Sequence, residues 1–308
     1  MAGGLITTGS LPKLLWPGLY DLWGRFYNKY EKIYPKLFNT TYSDKAYEEY
    51  QEVTGFTFGQ VKPQGQSMAY DSVVQGFTTR LINTTYALGY IVTMEEIQDN
   101  LYPKESKSRT TANSFSMLQA KEQNLHLIYN RAFTSTYTGA DGQPLCSTAH
   151  VWVTGGTYAN KPTVDADLSE ASLEDALISI RGYTDAKGLF MNVKAISLIV
   201  PRQELYNAIR LTKSIYQPGT ANNDINASKW VTAVPEGFIE SVYLTAPHAW
   251  FLRTDAAGDG HGLIYQERMA PEFAQDNDFD TKNFKAGTVE RYAGGWDNPH
   301  AIFGVNGP

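Results

Sequence analysis

One short stretch of the chain holds residue types that could do nucleophilic chemistry. Residues 141–150 read DGQPLCSTAH, so the chain's one cysteine, Cys146, lies five residues after Asp141 and four before His150. A cysteine nucleophile needs a base within hydrogen-bond reach and surroundings that lower the pKa of its thiol. Side chains four residues apart meet on a helix, but Pro144 and its turn-forming neighbours disfavour a helix here. The pattern therefore favours a small packed side chain over a cysteine hydrolase that uses Cys146.

Three further patterns could bind an ion or a phosphate, and each lacks an essential part. The acidic run at Asp276, Asn277, Asp278 and Asp280 lacks the glycine and the final glutamate of a calcium loop, so it predicts a solvated turn. Residues 258–262, GDGHG, lack the lysine of a phosphate loop. The five histidines are scattered without zinc-ligand spacing. We therefore predict no catalytic, metal-binding or cofactor-binding residue.

Composition and charge exclude several classes of function. The 308 residues are 42% hydrophobic and 19% charged, with a net charge of -6, so the chain is globular and lacks the basic surface of a sequence-reading DNA-binding protein. No apolar run is long enough to cross a membrane. The start, MAGGLITTGSLPKLLWPG, lacks the order of a signal peptide, so synthesis in the cytoplasm is expected.

Residues 1–53, at the start of the chain, form an aromatic segment. Spacings of three and four place Tyr20, Trp23, Tyr27, Tyr30 and Tyr34 on one face of a helix. Such a stripe either folds back on its own domain or lies as an arm across a neighbouring subunit. The chain's 20 tyrosines and 6 tryptophans suit extensive contact with another protein or a tyrosine-rich core.

A long two-stranded excursion follows the aromatic segment. Alternation at residues 56–58 and 77–81 predicts two strands, and Lys62-Pro63-Gln64-Gly65-Gln66 predicts the turn at the tip. Two strands alone are marginal in water, so the excursion needs a surface in its own domain or in another chain.

A long helix and a separate α/β unit complete the pattern. Residues 105–133 contain neither glycine nor proline and predict an amphipathic helix, with Lys121, Glu122, Asn130 and Arg131 on a solvated or interface face. The α/β unit would consist of a helix from Ser172 to Gly188, the strand VKAISLIV, a helix after Pro201 and strands at 230–234, 238–244 and 248–252. Between them, residues 217–228 predict a polar loop, and short strand-like pieces follow in 263–305.

This order of parts resembles the HK97-fold major capsid proteins of tailed phages, particularly a branch similar to the Mu-like head subunits. The residues that carry the resemblance are Pro63-Gln64-Gly65-Gln66 with Tyr70-Asp71, Asp141-Gly142 with Leu145, Ser147 and His150, Ile199-Val200-Pro201, and Glu290-Arg291-Tyr292 with Gly295 and Asp297. The family usually has a bulky apolar residue in place of Cys146 and often a proline in place of Val151. Those departures favour a purely structural turn at 141–150.

The resemblance implies an α+β fold with four parts. Residues 1–53 would be an N-terminal arm and 54–93 a β-hairpin E-loop. Residues 94–171 and 261–308 would form a peripheral domain that carries a spine helix at about 105–133, and residues 172–260 an α/β axial domain.

The function implied is that of a non-enzymatic shell subunit in the virion. Hexamers and pentamers of this chain would tile into an icosahedral head that encloses double-stranded DNA without sequence-specific binding, with no membrane partner. The partners implied are a separate scaffolding protein, a portal protein and possibly a decoration protein. An encapsulin-type nanocompartment shell is the alternative. The predicted inter-subunit contact residues are Trp16, Tyr20, Trp23, Tyr27, Lys62, Gln66, Tyr70, Asp71 and Arg80.

Lys62 raises the question of a covalent link between subunits. Some members of the family join an E-loop lysine to a neighbour's asparagine by an isopeptide bond. That chemistry needs a buried lysine in a dry pocket. Proline and glutamines surround Lys62, so we predict a solvated tip that contacts an acidic neighbour without a covalent link.

Overall fold

The computed structural model describes residues 12–98, 102–216, 224–230, 233–256, 258 and 260–307, without the side chains of residues 12–18, 97, 98, 102–106 and 230. Its helices are α1 (Pro12–Lys29), α2 (Tyr34–Leu37), α3 (Met94–Gln98), α4 (Tyr102–Asn130), α5 (Glu170–Arg181), α6 (Leu205–Lys213) and α7 (Ala227–Trp230). Its strands are β1 (Asn39–Tyr42), β2 (Tyr47–Val53), β3 (Gln75–Ile82), β4 (Thr84–Val92), β5 (His150–Val151), β6 (Thr157–Tyr158), β7 (Ala195–Pro201), β8 (Phe238–Ser241), β9 (Trp250–Thr254), β10 (Leu263–Asn277), β11 (Phe284–Trp296) and β12 (Ile302–Val305).

Two four-stranded sheets form the framework of the subunit. The first has the order β1-β10-β11-β4, in which β1 is parallel to β10 and the other pairs are antiparallel. The second has the order β12-β9-β7-β8, in which β7 and β8 run parallel and the other pairs antiparallel. Helix α4 packs on β11 and β4, and α1 packs on α4 and β10. Helices beside mixed sheets give the α+β class that the sequence predicts.

The long helix confirms the prediction for residues 105–133, with ends shifted by about three residues. It begins beside Pro103, whose fixed φ suits a first helical turn. Leu118 and Leu125 are buried, as predicted. The prediction of a solvated or interface face is wrong for Lys121 and Glu122, which are each 1% exposed and pair with groups of their own subunit. Both lie three or four residues from Leu118 and from Leu125, so the helix turns them toward the same side as these leucines.

The predicted excursion forms a hairpin, but its first strand lies elsewhere. Strand β2 pairs with β3 from Tyr47↔Ile82 to Val53↔Gln75, whereas residues 56–58 form no strand. The alternating burial of β2 is carried by a glutamate-rich sequence, YEEYQEV, which lacks the usual apolar signal of a strand. The turn at the tip is confirmed, since Gln66 N donates to Pro63 O at 3.2 Å and Gly65 has φ +85°.

The second α/β unit differs from prediction at its helix boundaries. Helix α5 is capped by Ser169, not Ser172, because the two serines cap each other's backbone N–H groups, and the helix ends before Gly182, not Gly188. Strand β7 confirms the prediction for VKAISLIV. Trp230 ends a short helix where a strand was predicted, and residues 217–223 of the predicted loop lie outside the described residues.

The tail holds two long strands rather than short pieces. Strands β10 and β11 span 15 and 13 residues and form an antiparallel hairpin. The acidic run forms its turn, as predicted: Asp278 accepts backbone N–H bonds from Asp280 and Thr281 and pairs with Lys285. The hydrogen bond from Lys285, followed by those from the two backbone N–H groups, lowers the pKa of Asp278. Together these bonds occupy its carboxylate.

Candidate assembly surface

Cys146 lies in the interior, at the junction between α4 and strand β12. Its side chain is 1% exposed, its backbone N–H donates to Ala132 O at 2.8 Å, and it packs against Leu145 and Ile302 in the main core. Burial raises the pKa of the Cys146 thiol far above its ordinary value. This environment disfavours the thiolate that nucleophilic catalysis requires, and it supports the prediction of a packed side chain.

His150 and Asp141 are brought together, but they serve the turn rather than the thiol. His150 Nδ1 lies 2.5 Å from Asp141 Oδ2, and His150 Nε2 lies 3.1 Å from Asn160 Oδ1. The Asn160 amide donates to Leu145 O and Pro299 O, so it ties the turn to the tail of the chain. The buried network holds residues 141–150 in place, because each polar group in it has a partner.

The described ranges show neither a metal centre nor a membrane-spanning helix. Within those ranges, no three His, Cys, Asp or Glu side chains converge in a way that would hold a metal ion. None of the helices in the described part of the chain has both the length and the apolar content needed to cross a bilayer.

Residues 54–74 project from the β2–β3 hairpin and are here called the extension. Its base is closed by Thr54, whose N–H donates to Val74 O and whose hydroxyl accepts from Val74 N. Every residue from 55 to 74 is exposed. Its large apolar side chains are therefore uncovered by the subunit, and Val61 and Tyr70 are 95% and 88% exposed. Phe56, Phe58 and Met68 are exposed in the same way.

The extension carries four of the nine residues predicted to contact a neighbour. Lys62, Gln66 and Tyr70 lie on it and are exposed. Asp71 also lies there, but its carboxylate already has partners in the same chain: Thr57 N, Ser72 N and Lys187 Nζ. These bonds, first those from the two backbone N–H groups, lower the pKa of Asp71 far below its ordinary value.

Arg80 lies on strand β3, on the hairpin that supports the extension. Its guanidinium donates to Glu49 Oε1 across the strands at 2.6 and 2.8 Å and covers the ring of Tyr47 at 4.5 Å. The pair remains about half exposed, so Arg80 stays available at the surface while it stabilises the hairpin.

The aromatic helix α1 divides into an inner and an outer face. Trp23 and Tyr27 are about 95% buried, and Trp23 stacks on Phe273 and donates to Asn113 Oδ1. Their predicted role as inter-subunit contacts needs correction, because both rings pack inside their own subunit. Tyr20, at 60% exposure, faces outward and remains available, whereas the side chain of Trp16 lies outside the described residues.

Sequence reasoning missed a buried charged cluster beneath α1. Lys121 pairs with Glu290, and Glu122 accepts N–H bonds from Ile33 at 2.7 Å and from Tyr34 at 3.2 Å. Glu122 thereby fixes the link between α1 and α2 on the surface of α4. The signal was present in the sequence: both charges stand between leucines spaced seven residues apart, on the apolar face of a helix.

Comparison with known proteins identifies the family. The family model described as phage capsid protein matches residues 84–305, so the chain belongs to the phage capsid protein family, whose members are structural proteins of the virion. A sequence search of curated proteins finds no match.

Solved structures share the fold at low sequence identity. The capsid of cyanophage P-SCSP1u aligns with a TM-score of 0.55 and 11% identity over 90% of this chain and 88% of that one. Mycobacterium phage Patience aligns with a TM-score of 0.55 and 11% identity over 96% and 88%. A virus-like particle from Pyrococcus furiosus aligns with a TM-score of 0.54 and 12% identity over 93% and 97%. The α+β, HK97-like fold and the function of a major capsid protein, both predicted from the sequence, are confirmed.

Proposed function

We propose that copies of this chain assemble as hexamers and pentamers into an icosahedral head around double-stranded DNA. The observation that carries the proposal is the extension, whose apolar side chains a single subunit leaves in water. An exposed apolar patch of this kind marks a surface that another protein covers. Burying one such side chain contributes about 1.5–3 kcal/mol, so the extension favours association with a neighbouring copy.

The contact surface proposed for a neighbour comprises the outward-facing residues of the extension, its hairpin and α1. Lys62, Gln66 and Tyr70 lie on the extension, Arg80 on its supporting strand and Tyr20 on α1. In a closed shell the extension of each subunit contacts one neighbour, and the extension of another neighbour contacts that subunit in turn. Burial is therefore shared among chains.

The remaining parts of the proposal follow the resemblance to tailed-phage heads. A separate scaffolding protein, a portal protein and a decoration protein would be the partners, and synthesis would occur in the host cytoplasm. The division into arm, E-loop, peripheral and axial domains is proposed in the same way, as is a place within the Mu-like branch. The net charge of -6 suits a container that does not adhere to its DNA.

Assembly is tested with the purified full chain and two variants at one position. Phe58→Ser removes apolar surface from the extension, and Phe58→Leu is the matched control that retains it. Phe58 is 67% exposed, so both variants should unfold like the wild type. We expect particles in electron micrographs of the wild type and of Phe58→Leu, and a severalfold lower yield for Phe58→Ser. Sedimentation of the wild type as a compact monomer at every concentration and salt would contradict the proposal.

A protein nanocompartment is the second candidate. The similarity to the virus-like particle from Pyrococcus furiosus, which spans 97% of that chain, favours it. The contents of purified particles separate the two: nucleic acid supports a phage head, and enclosed protein supports a nanocompartment.

A further inference from the structure

An ion pair connects the extension to the second α/β unit of the same subunit. Lys187 Nζ lies 3.3 Å from Asp71 Oδ1, and the two side chains are 17% and 29% exposed. Both side chains are therefore partly shielded from solvent, although Asp71 belongs to a segment whose residues are otherwise exposed. The contact links the extension to the turn at residues 185–188 of the same subunit.

Within the extension, Asp71 connects two segments: the outgoing leg, which runs from Thr54 to the tip, and the returning leg, which runs from the tip to Val74. Its Oδ2 accepts the N–H of Thr57 at 2.8 Å from the outgoing leg, and its Oδ1 accepts the N–H of Ser72 at 2.8 Å on the returning leg. Charge-assisted bonds of this kind are stronger than neutral ones. A displacement of the Asp71 carboxylate therefore displaces both legs together.

In the second α/β unit, Lys187 lies in a turn that several hydrogen bonds hold in place. Asp185 Oδ1 accepts the N–H groups of Lys187 and Leu189 at 2.9 Å each, and Gly188 N donates to Asp185 O at 3.0 Å. Gly188 has φ +82°, which glycine adopts without strain. Ala186 O accepts the Thr154 hydroxyl at 3.1 Å, so the turn is also tied to the segment after β5.

We propose that Asp71 and Lys187 form a latch that sets the direction in which the extension projects from its subunit. The inference rests on the proposed function, because direction matters when the extension must reach a neighbouring copy. When the Asp71–Lys187 ion pair is formed, the extension projects Phe58 and Tyr70 in one direction. When the ion pair is broken, the β2–β3 ladder stays intact and the two legs can rotate about Thr54 and Val74.

The Asp71–Lys187 ion pair is weak enough to break and re-form. A partly exposed ion pair contributes little to global stability, and salt screens it further. Burial of apolar side chains in a neighbour outweighs it, so assembly can redirect the extension without unfolding the subunit. Asp71 is thereby reassigned from an inter-subunit contact to a positioning residue within its own chain.

Hydrogen–deuterium exchange of the full, unassembled chain tests the latch. Lys187→Met removes the charge and keeps the side-chain length, Lys187→Arg retains the charge, and Lys194→Met is the matched control on an exposed lysine of the same unit. We expect Lys187→Met to speed exchange of the Thr57 and Ser72 amides about 2- to 5-fold, the range of a weak ion pair, with β10 and β11 unchanged. Lys187→Arg and Lys194→Met should match the wild type.

A second measurement varies the salt concentration, so its result for the wild type does not depend on how a variant folds. Raising the salt to about 1 M should speed the same two amides of the wild type and leave Lys187→Met unaffected. Equal exchange in Lys187→Met and the wild type, at low salt, would overturn the latch. Because the readout is local and needs no particles, this failure is distinct from a failure of assembly, which the micrographs of the wild type report.

Particle shape gives the functional readout. If the latch aims the extension, Lys187→Met should form shells with a broader size distribution than the wild type and Lys194→Met. Shells of unchanged size and uniformity would overturn the role in assembly, even where exchange shows that the latch opens.

Discussion

Lys121 and Glu290 form an ion pair inside the subunit, with Lys121 Nζ 2.6 Å from Glu290 Oε2 and side-chain exposures of 1% and 0%. Four tyrosine rings surround the ammonium group at 5.3–5.7 Å, namely Tyr27, Tyr34, Tyr265 and Tyr292. Burial raises the pKa of Glu290, and the nearby Lys121 opposes that shift. The rings come from α1, α2, β10 and β11, so the cluster fastens the N-terminal segment to the first sheet.

Removing one charge of this pair should be strongly destabilising. Lys121→Met leaves the Glu290 carboxylate buried without its cation, and we expect a loss of about 3–5 kcal/mol in the free energy of unfolding. The double variant Lys121→Met/Glu290→Leu should be more stable than Lys121→Met, because no uncompensated charge remains. Urea denaturation of the unassembled subunit measures both.

The control for that series is an exposed pair on α1. Arg25 and Asp21 lie 2.7 Å apart, with side chains 70% and 64% exposed. Arg25→Met should change the free energy of unfolding by less than about 1 kcal/mol. A similar loss in Arg25→Met and Lys121→Met would show that burial is not the cause.

Two buried histidines should make the fold sensitive to mild acid. Burial lowers the pKa of His126 to about 4 and that of His300 to about 3. Above pH 6.5, their ordinary pKa, both are neutral in the folded and unfolded states. As the pH falls below that value, the unfolded chain binds protons that the folded chain rejects. Each histidine should then cost up to about 1.4 kcal/mol per pH unit, down to its folded pKa.

The histidine contribution is isolated by comparison with His126→Gln and His300→Gln. The buried carboxyls of Glu122 and Glu290 have raised pKa values and shift the pH dependence in the opposite direction. Because His126 Nδ1 lies 3.6 Å from Glu122 Oε2, His126→Gln also changes the surroundings of that carboxyl, and His300→Gln gives the cleaner comparison. The free energy of unfolding, measured by urea denaturation from about pH 7 to about pH 5, should therefore fall less steeply in each variant than in the wild type. Identical slopes would refute the assignment.

The sequence predicts local features of the fold better than its buried polar contacts. The spacing of Leu118 and Leu125 predicts α4, and Gly65 predicts the turn of the extension, because helix period and turn chemistry are local properties. Strand β2 was missed because its partner β3 comes 22 residues later, and pairing gives its glutamate-rich sequence a ladder that local propensity disfavours.

The candidate surface was also predicted only in part, because local sequence features indicate some of it and tertiary contacts determine the rest. Lys62 is exposed, as expected from a solvated tip, and Tyr70 is exposed as well. The burial of Trp23 and the pairing of Asp71 with Lys187, 116 residues away, depend on tertiary contacts that no periodicity encodes. Exposure of an aromatic stripe cannot be derived from its spacing alone, since the same spacing suits a core and an interface.

Gly304 should tolerate no side chain beside Cys146. A Cβ atom at Gly304 would lie 2.5 Å from Cys146 Sγ and 3.0 Å from the ring of Phe251. Overpacking of this kind costs about 1–3 kcal/mol, so Gly304→Ala should lower the free energy of unfolding by that amount. Cys146→Ala/Gly304→Ala should recover part of the loss, because the sulfur is removed. A double variant whose losses simply add would show that the two sites do not touch.

The thiol itself should be unreactive in the native subunit. Cys146 is 1% exposed and its pKa is raised by burial, so a thiol-reactive probe at neutral or mildly acid pH should label it after denaturation and not before. Cys146→Ser should still give particles of normal shape, since the side chain contributes packing alone. Rapid native labelling, or a folded Cys146→Ser subunit that forms no particles, would assign the thiol a role beyond packing.

Lys62 should remain unmodified in mature particles. An isopeptide bond requires a neutral amine held in a dry pocket against an amide. Lys62 stands instead at the exposed turn of the extension, between the exposed residues Val61 and Pro63. Within a shell we expect it to meet an acidic neighbour at the rim of the contact, with a contribution below about 1 kcal/mol. Denaturing gels should therefore show one band near the 34.3 kDa mass of the subunit, identical in the wild type and Lys62→Ala. A ladder of multiples that disappears in Lys62→Ala would demonstrate a covalent link and place the tip of the extension in a desolvated site of the neighbouring subunit.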